Sequence, residues 1–245
     1  MEPVPTATGP ASTSARALAR DHLTRAILAS ARAQLGTVGP AALSVRAVAR
    51  DVGMASSAVY RYFASRDELL TALLVAGFDE QGEAVETAVE RVDASDHVGR
   101  WSAVAHAFRG WAVEHPWDYA LLYGSPVPGY VAPEQTVAPA TRVTRVLLQL
   151  LVDAATAGTP LTDARPAPPD PAFHAAVAEI RGFAGADLPD DLLGAGLAAW
   201  CGLVGSVTLE LFGHLENAVG DREAWFDAIA ARLCPFAGPT GGRAA

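Results

Sequence analysis

The chain has 245 residues, 51% of them hydrophobic and 18% charged; this excludes a disordered acidic chain and a fibre and leaves room for one or two domains with a sizeable core. Its two cysteines, Cys201 and Cys234, are too few for a disulfide framework or a zinc site, and neither Cys-x-x-Cys nor His-Glu-x-x-His occurs. The net charge is −9, every one of the 18 basic residues is arginine, and the acidic balance taken alone argues against a nucleic-acid partner.

Residues 1–14, rich in Pro, Thr, Ser and Ala, lack the basic and apolar regions of an export signal and are expected to form a disordered tail on a cytoplasmic protein. Leu23, Ile27, Ala31 and Leu35 recur every four residues and predict a helix over about 15–35, ended by Gly36 and Gly39-Pro40. Val45, Val48, Ala49 and Val52, behind the N-cap candidate Ser44, mark a second helix that Gly53 breaks. Ser56 is positioned to cap a third, short helix running to about Phe63. Ser65-Arg66-Asp67-Glu68 is an S-x-x-E capping box, opening a fourth helix with Leu69, Leu70, Leu73 and Leu74 that extends to about Val92. Further helices are expected at about 96–115, 117–124, 139–157, 171–184, 190–217 and 222–234, with Pro-rich connections at 124–139 and 158–171 and no alternation suggesting strands. Leu192 to Leu209 is free of charge, long enough to test as a membrane span, but it is flanked by acids, lacks a basic anchor and is rich in Gly and Ala; a buried helix is the expected form.

Charge is unevenly placed. Residues 14–75 carry eight arginines against four acids, for +4, whereas residues 76–245 carry ten arginines against 22 acids, for −12. A basic segment joined to an acidic remainder is an electrostatic footprint at one end. Within it, residues 44–63 read as helix, glycine turn, helix. Val48, Ala49, Val52, Val59 and Phe63 suit the inner face, leaving Ser56, Ser57, Tyr60, Arg61 and Tyr62 on or beside the outer one. Small hydroxyls approach base edges or phosphates, arginine pairs with guanine or phosphate, and a tyrosine hydroxyl donates to phosphate. The pattern alone also fits a surface helical hairpin.

Leu43–Leu74, LSVRAVARDVGMASSAVYRYFASRDELLTALL, resembles the N-terminal domain of the TetR/AcrR family of transcriptional regulators, over residues 18–75 in all. Phe108 to Pro116, Tyr119 to Tyr123 and Trp200-Cys201-Gly202 resemble the ligand-domain branch named for a Trp-His-Gly motif, with Cys201 in the place of the histidine. The resemblance implies an all-α homodimer in which each subunit sets its third helix into a major groove of a roughly palindromic operator. It also implies a small molecule in the C-terminal helical domain that releases the DNA, most simply from a repressor. By position, Arg46, Ser56, Ser57, Tyr60, Arg61 and Tyr62 are candidate DNA contacts, and Ser44 and Arg66 candidate phosphate contacts at helix starts.

The resulting organisation is a tail over 1–14, a three-helix helix-turn-helix domain over 15–65, a helical-bundle ligand-binding and dimerisation domain over 66–235, and a flexible tail over 236–245. Aromatic residues concentrate between 101 and 130, and Trp101, Phe108, Trp111, Tyr119 and Tyr123 are the candidate lining of a pocket for a small apolar or amphipathic effector. The helices at 192–215 and 222–234 are expected to pair with their copies in a two-fold, four-helix interface. No cofactor or metal is implied: His106 and His115 are nine residues apart, about half a helix turn out of phase. No Gly-x-Ser-x-Gly elbow or phosphate loop is present either, so enzymatic activity is not expected. A helical carrier or enzyme without a DNA role is the alternative, and the coincidence of arginine enrichment with the helix-turn-helix weighs against it.

Overall fold

The computed structural model describes residues 11–162 and 171–237; the expected tail segments 1–10 and 238–245, and the Pro-rich stretch 163–170, lie outside the described residues. The described residues are helical throughout, apart from loops and one isolated antiparallel bridge between Leu161 and Phe236. In chain order the helices are α1 (Ala11–Val38), α2 (Val45–Asp51), α3 (Ser56–Val59), α4 (Arg66–Glu90), α5 (His97–Glu114) and α6 (Pro116–Tyr123). They continue as α7 (Val137–Ala140), α8 (Arg142–Ala157), α9 (Pro171–Ala176), α10 (Ala178–Ala184), α11 (Asp190–Leu211) and α12 (Arg222–Leu233), with 3-10 turns at Pro40–Ala42 and Glu134–Thr136.

Several boundaries differ from expectation for local reasons. The backbone is already helical at Ala11, and α1 runs through Gly36 to Val38; Gly39 ends it in the left-handed region at φ 73°. The span 139–157 divides at Thr141, whose hydroxyl donates to the Val137 and Ala138 carbonyls, and the span 171–184 divides at Val177. The helix expected to reach 217 stops at Leu211. Gly213 takes φ 79°, His214 N–H donates to Leu209 O and Gly213 N–H to Glu210 O, which is a Schellman stop.

The chain divides into two compact units. One comprises the residues up to Leu74 with Ser125–Pro133, the other Val75–Gly124 with the residues from Glu134 onward. The division therefore falls inside α4 and not at 65/66, because Leu69, Leu70 and Leu73 at the start of α4 are fully buried. The capping box forms at that start: Glu68 N–H donates to Ser65 Oγ at 3.0 Å, and the Glu68 carboxylate accepts from Ala64 N–H. Thr71 Oγ1 and the Tyr130 hydroxyl, 2.8 Å apart, tie the 125–133 loop to this unit.

The second unit is a bundle centred on α5, α8, α11 and α12, with Val104 and Phe108, Leu150, Leu203 and Phe226 buried at its middle. Each such side chain contributes about 1.5–3 kcal/mol of transfer free energy. α11 is long and apolar enough to cross a membrane, yet its Glu210 is buried in a two-pronged pair with Arg109 of α5, Nε and Nη2 reaching the carboxylate at 2.8 and 2.7 Å. The guanidinium also lies over the Phe226 ring, 5.0 Å from its centroid. Phe236 and Ala237, expected in a flexible tail, are held instead by Thr162 N–H to Pro235 O at 3.0 Å and Ala237 N–H to Pro160 O at 2.9 Å.

Candidate nucleic-acid interface and effector pocket

The first unit builds a helix-turn-helix on α1. Ile27 and Ala31 of α1, Val45, Val48 and Ala49 of α2, and Val59 beyond the turn are buried together with Phe63. Ser44 caps α2, its Oγ accepting from Ala47 N–H at 3.3 Å, while its own N–H donates to the side-chain oxygen of Gln34 on α1 at 3.1 Å. Gly53 turns the chain at φ 67°, and Met54 N–H closes the turn onto Ala49 O at 2.8 Å.

Ser56 is the first helical residue of α3 and not its cap; Ala55 occupies the cap position and makes no side-chain bond there. α3 itself is one turn, but Tyr60 N–H to Ser56 O, Tyr62 N–H to Val59 O and Phe63 N–H to Val59 O carry the winding on to Phe63. Arg46, Ser57, Tyr60 and Arg61 are exposed, with Tyr60 43% accessible. Ser44, Ser56 and Tyr62 are half-buried, and the Tyr62 ring lies under the Arg20 guanidinium of α1 at 5.3 Å.

Arg66 stands apart from these. Its guanidinium donates to Leu43 O at 3.2 Å, Pro40 O at 2.7 Å and Ala41 O at 2.9 Å, and it pairs with Asp67. The 3-10 turn leaves carbonyl lone pairs that need donors, and the planar fork of an arginine supplies them. The structure thus places Arg66 as the strap between the 40–43 segment and α4. Gln34, which holds Ser44, was not among the expected residues; its one signal is a polar side chain on the apolar face of α1.

The second unit encloses a cavity of about 480 Å³. Its walls are largely leucine, from Leu147, Leu148 and Leu151 of α8 and Leu193 and Leu197 of α11, with Phe236 from the chain beyond α12. Trp101 and Trp200 add two indoles, and Thr141, Thr144 and Glu179 the polar side chains. Of the five expected lining residues, Trp101 alone is there. Phe108 and Tyr119 are fully buried; Phe108 stands edge-to-face to Tyr119, Tyr123 and Trp200, and the two tyrosine rings lie tilted at 31° with centroids 4.9 Å apart. The Tyr119 hydroxyl lies 2.8 Å from Thr208 Oγ1, and that of Tyr123 donates to Gln81 at 2.7 Å; burial pushes the Tyr119 phenol up to about 12 and Tyr123 higher. Trp111 stacks on His115. These four are core, and the Leu pattern of α8 marks the cavity better than aromatic density does.

Each residue of Trp200-Cys201-Gly202 has a distinct place on α11: Trp200 faces the cavity, Cys201 is exposed, and Gly202 lets Leu233 of α12 approach closely. His106 pairs with Asp227 at 2.9 Å.

Residues 27–73 match the family model described as bacterial regulatory proteins, tetR family, and residues 101–233 match that described as tetracyclin repressor-like, C-terminal domain. The HTH-type transcriptional regulator Rv1816 of Mycobacterium tuberculosis (strain ATCC 25618 / H37Rv) is 42% identical over 213 residues, covering 86% of this chain and 90% of its own length. The solved structure of the regulatory protein SCO4313 agrees with a TM-score of 0.72 at 31% identity, covering 87% of this chain and 96% of that one. A protein of unknown function from Rhodococcus sp. RHA1 follows at 0.62 and 28%, covering 86% and 95%. Those with a stated role are regulators, as the arginine-lined helix-turn-helix demands. The chain belongs to the TetR family of bacterial transcriptional regulators, and it is a DNA-binding protein and not an enzyme.

Proposed function

We propose that the protein acts in the cytoplasm as a repressor that binds a palindromic operator as a homodimer and is released when a small molecule enters the cavity between α8 and α11. The observation that carries the DNA reading is the joint exposure of Arg46, Ser57, Tyr60 and Arg61 on a segment whose other face buries Val45, Val48, Ala49 and Val59. In this reading Arg46, Ser57, Tyr60 and Arg61 meet the DNA. Ser44, Ser56 and Tyr62 lie beside them and support the contact, and Arg66 acts through the turn that it straps. The dimer reading rests on the accessible apolar face at the end of α11, where Leu209 and the capping residue Phe212 are 44% and 43% exposed. Two copies joined there would present two reading heads to half-sites about 34–36 Å apart or a multiple of it.

The test is a gel shift on the DNA flanking the gene, with salt titrated. Affinity is expected to fall steeply with salt through counterion release. Arg46→Ala and Tyr60→Ala are each expected to weaken specific binding by about 1–3 kcal/mol with folding intact. Wild-type affinity in both variants would remove this face as the contact.

A further inference from the structure

The polar groups around the cavity are nearly all of one kind. Thr141 Oγ1 donates to the Val137 and Ala138 carbonyls at 2.9 and 3.1 Å, and Thr144 Oγ1 donates to Thr141 O at 2.9 Å. A hydroxyl has one proton to give, so both threonines, a helical turn apart, turn only lone pairs to a ligand. The third polar side chain is the Glu179 carboxylate of α10, an acceptor, exposed and without an ion-pair partner among the described residues. Of the two indoles, Trp101 gives its N–H to Ala230 O at 2.8 Å; among the described lining residues that leaves the Trp200 indole N–H as the side-chain N–H donor, and it is neutral. Among the described residues that line it there is no arginine or histidine, and the chain has no lysine. Arg145 of α8 has its guanidinium stacked 5.0 Å from the ring centroid of Phe183, a lining residue, and is not itself in the wall.

We infer, resting on the reading of this cavity as the effector site, that the effector is a lipophilic amine: an apolar body among the leucines and a protonated nitrogen that donates to Glu179 and to the threonine oxygens. An alkylammonium, like the lysine side chain with its pKa of about 10.4, is charged at neutral pH and carries donors for these acceptors. An alkyl carboxylate of the same length brings a second anion towards Glu179 and finds no cation among the described lining residues to offset its desolvation.

The experiment is calorimetric titration of the full chain with decylamine, decanol and decanoate, which share an apolar body and differ in the head. Decylamine is expected to bind about tenfold or more tightly than decanoate, with decanol between. Glu179→Gln, at an exposed position, is expected to lower the affinity for decylamine about fivefold and leave that for decanol unchanged. Decanoate binding as tightly as decylamine, or decylamine binding unchanged by Glu179→Gln, overturns the amine assignment and leaves the cavity an effector site. If none of the three binds, or if all bind equally well to a folded Leu147→Trp variant whose cavity is filled, both this inference and the reading beneath it fall.

Discussion

Gly53 joins α2 to α3 at φ 67°, and nothing lies within 4 Å of where a Cβ would stand, so the cost of a side chain there is conformational alone. For a β-branched residue it is about 1–2 kcal/mol. Gly53→Val is expected to lose that much stability in urea denaturation and to weaken operator binding, whereas Gly53→Asn, which tolerates the left-handed region, keeps both nearly intact. Another single residue sets an acid limit. Arg142 reaches Glu86 through Nε at 2.9 Å and Nη2 at 2.5 Å, and these bonds hold the Glu86 carboxyl below its usual value of 4.5. A carboxyl depressed in the folded state contributes stability that is present above its unfolded pKa and is lost as the pH falls through the folded one. Unfolding free energy is therefore expected to be insensitive to this pair from neutral pH down to about 5 and to decline below it, with a shallower decline in Glu86→Gln.

At the scale of elements, two glycines one turn apart on α11 have opposite duties. A Cβ at Gly202 would collide with the Leu233 side chain of α12, so Gly202→Leu is expected to cost about 1–3 kcal/mol by overpacking the pair. Gly205 has open space around it, so Gly205→Arg should leave the fold intact and break only what covers that face. Sedimentation is expected to show a dimer for wild type and a monomer for Gly205→Arg, with thermal midpoints separating the two substitutions. The elements themselves were legible where the cause is local. Ser44, Gly53 and the Ser65–Glu68 box act within a few residues, and the boundaries of α2 and the start of α4 follow from them. α3 was read as longer than one regular turn because Val59 and Phe63 keep helical spacing through an irregular winding. The cavity was not legible because its wall joins α5, α8, α10, α11 and Phe236, and only packing decides whether an aromatic side chain faces a neighbour or a void. Tyr119 and Tyr123 have the composition of a pocket and the hydrogen bonds of a core. Arg66 shows the same limit: its place at a helix start suggests an anion, and carbonyls more than twenty residues back in the chain claim it.

At the scale of the whole molecule, the proposed contact has a chain of net charge −9 meet DNA through its positive minority, residues 14–75 at +4. The acidic remainder opposes loose association with DNA at large, so discrimination rests on the few groups that the helix-turn-helix sets forward.

The two cysteines differ in the same way as the two glycines. Cys234 is buried, its thiol pushed up by burial, whereas Cys201 stands exposed one helical turn from Gly205 on α11. A maleimide therefore finds one site per chain, on the face whose covering is in question, and its rate of reaction becomes a footprint of self-association. Alkylation is expected to slow as protein concentration rises through the dimer dissociation constant and to stay fast at every concentration in Gly205→Arg; a wild-type rate independent of concentration would leave that face bare.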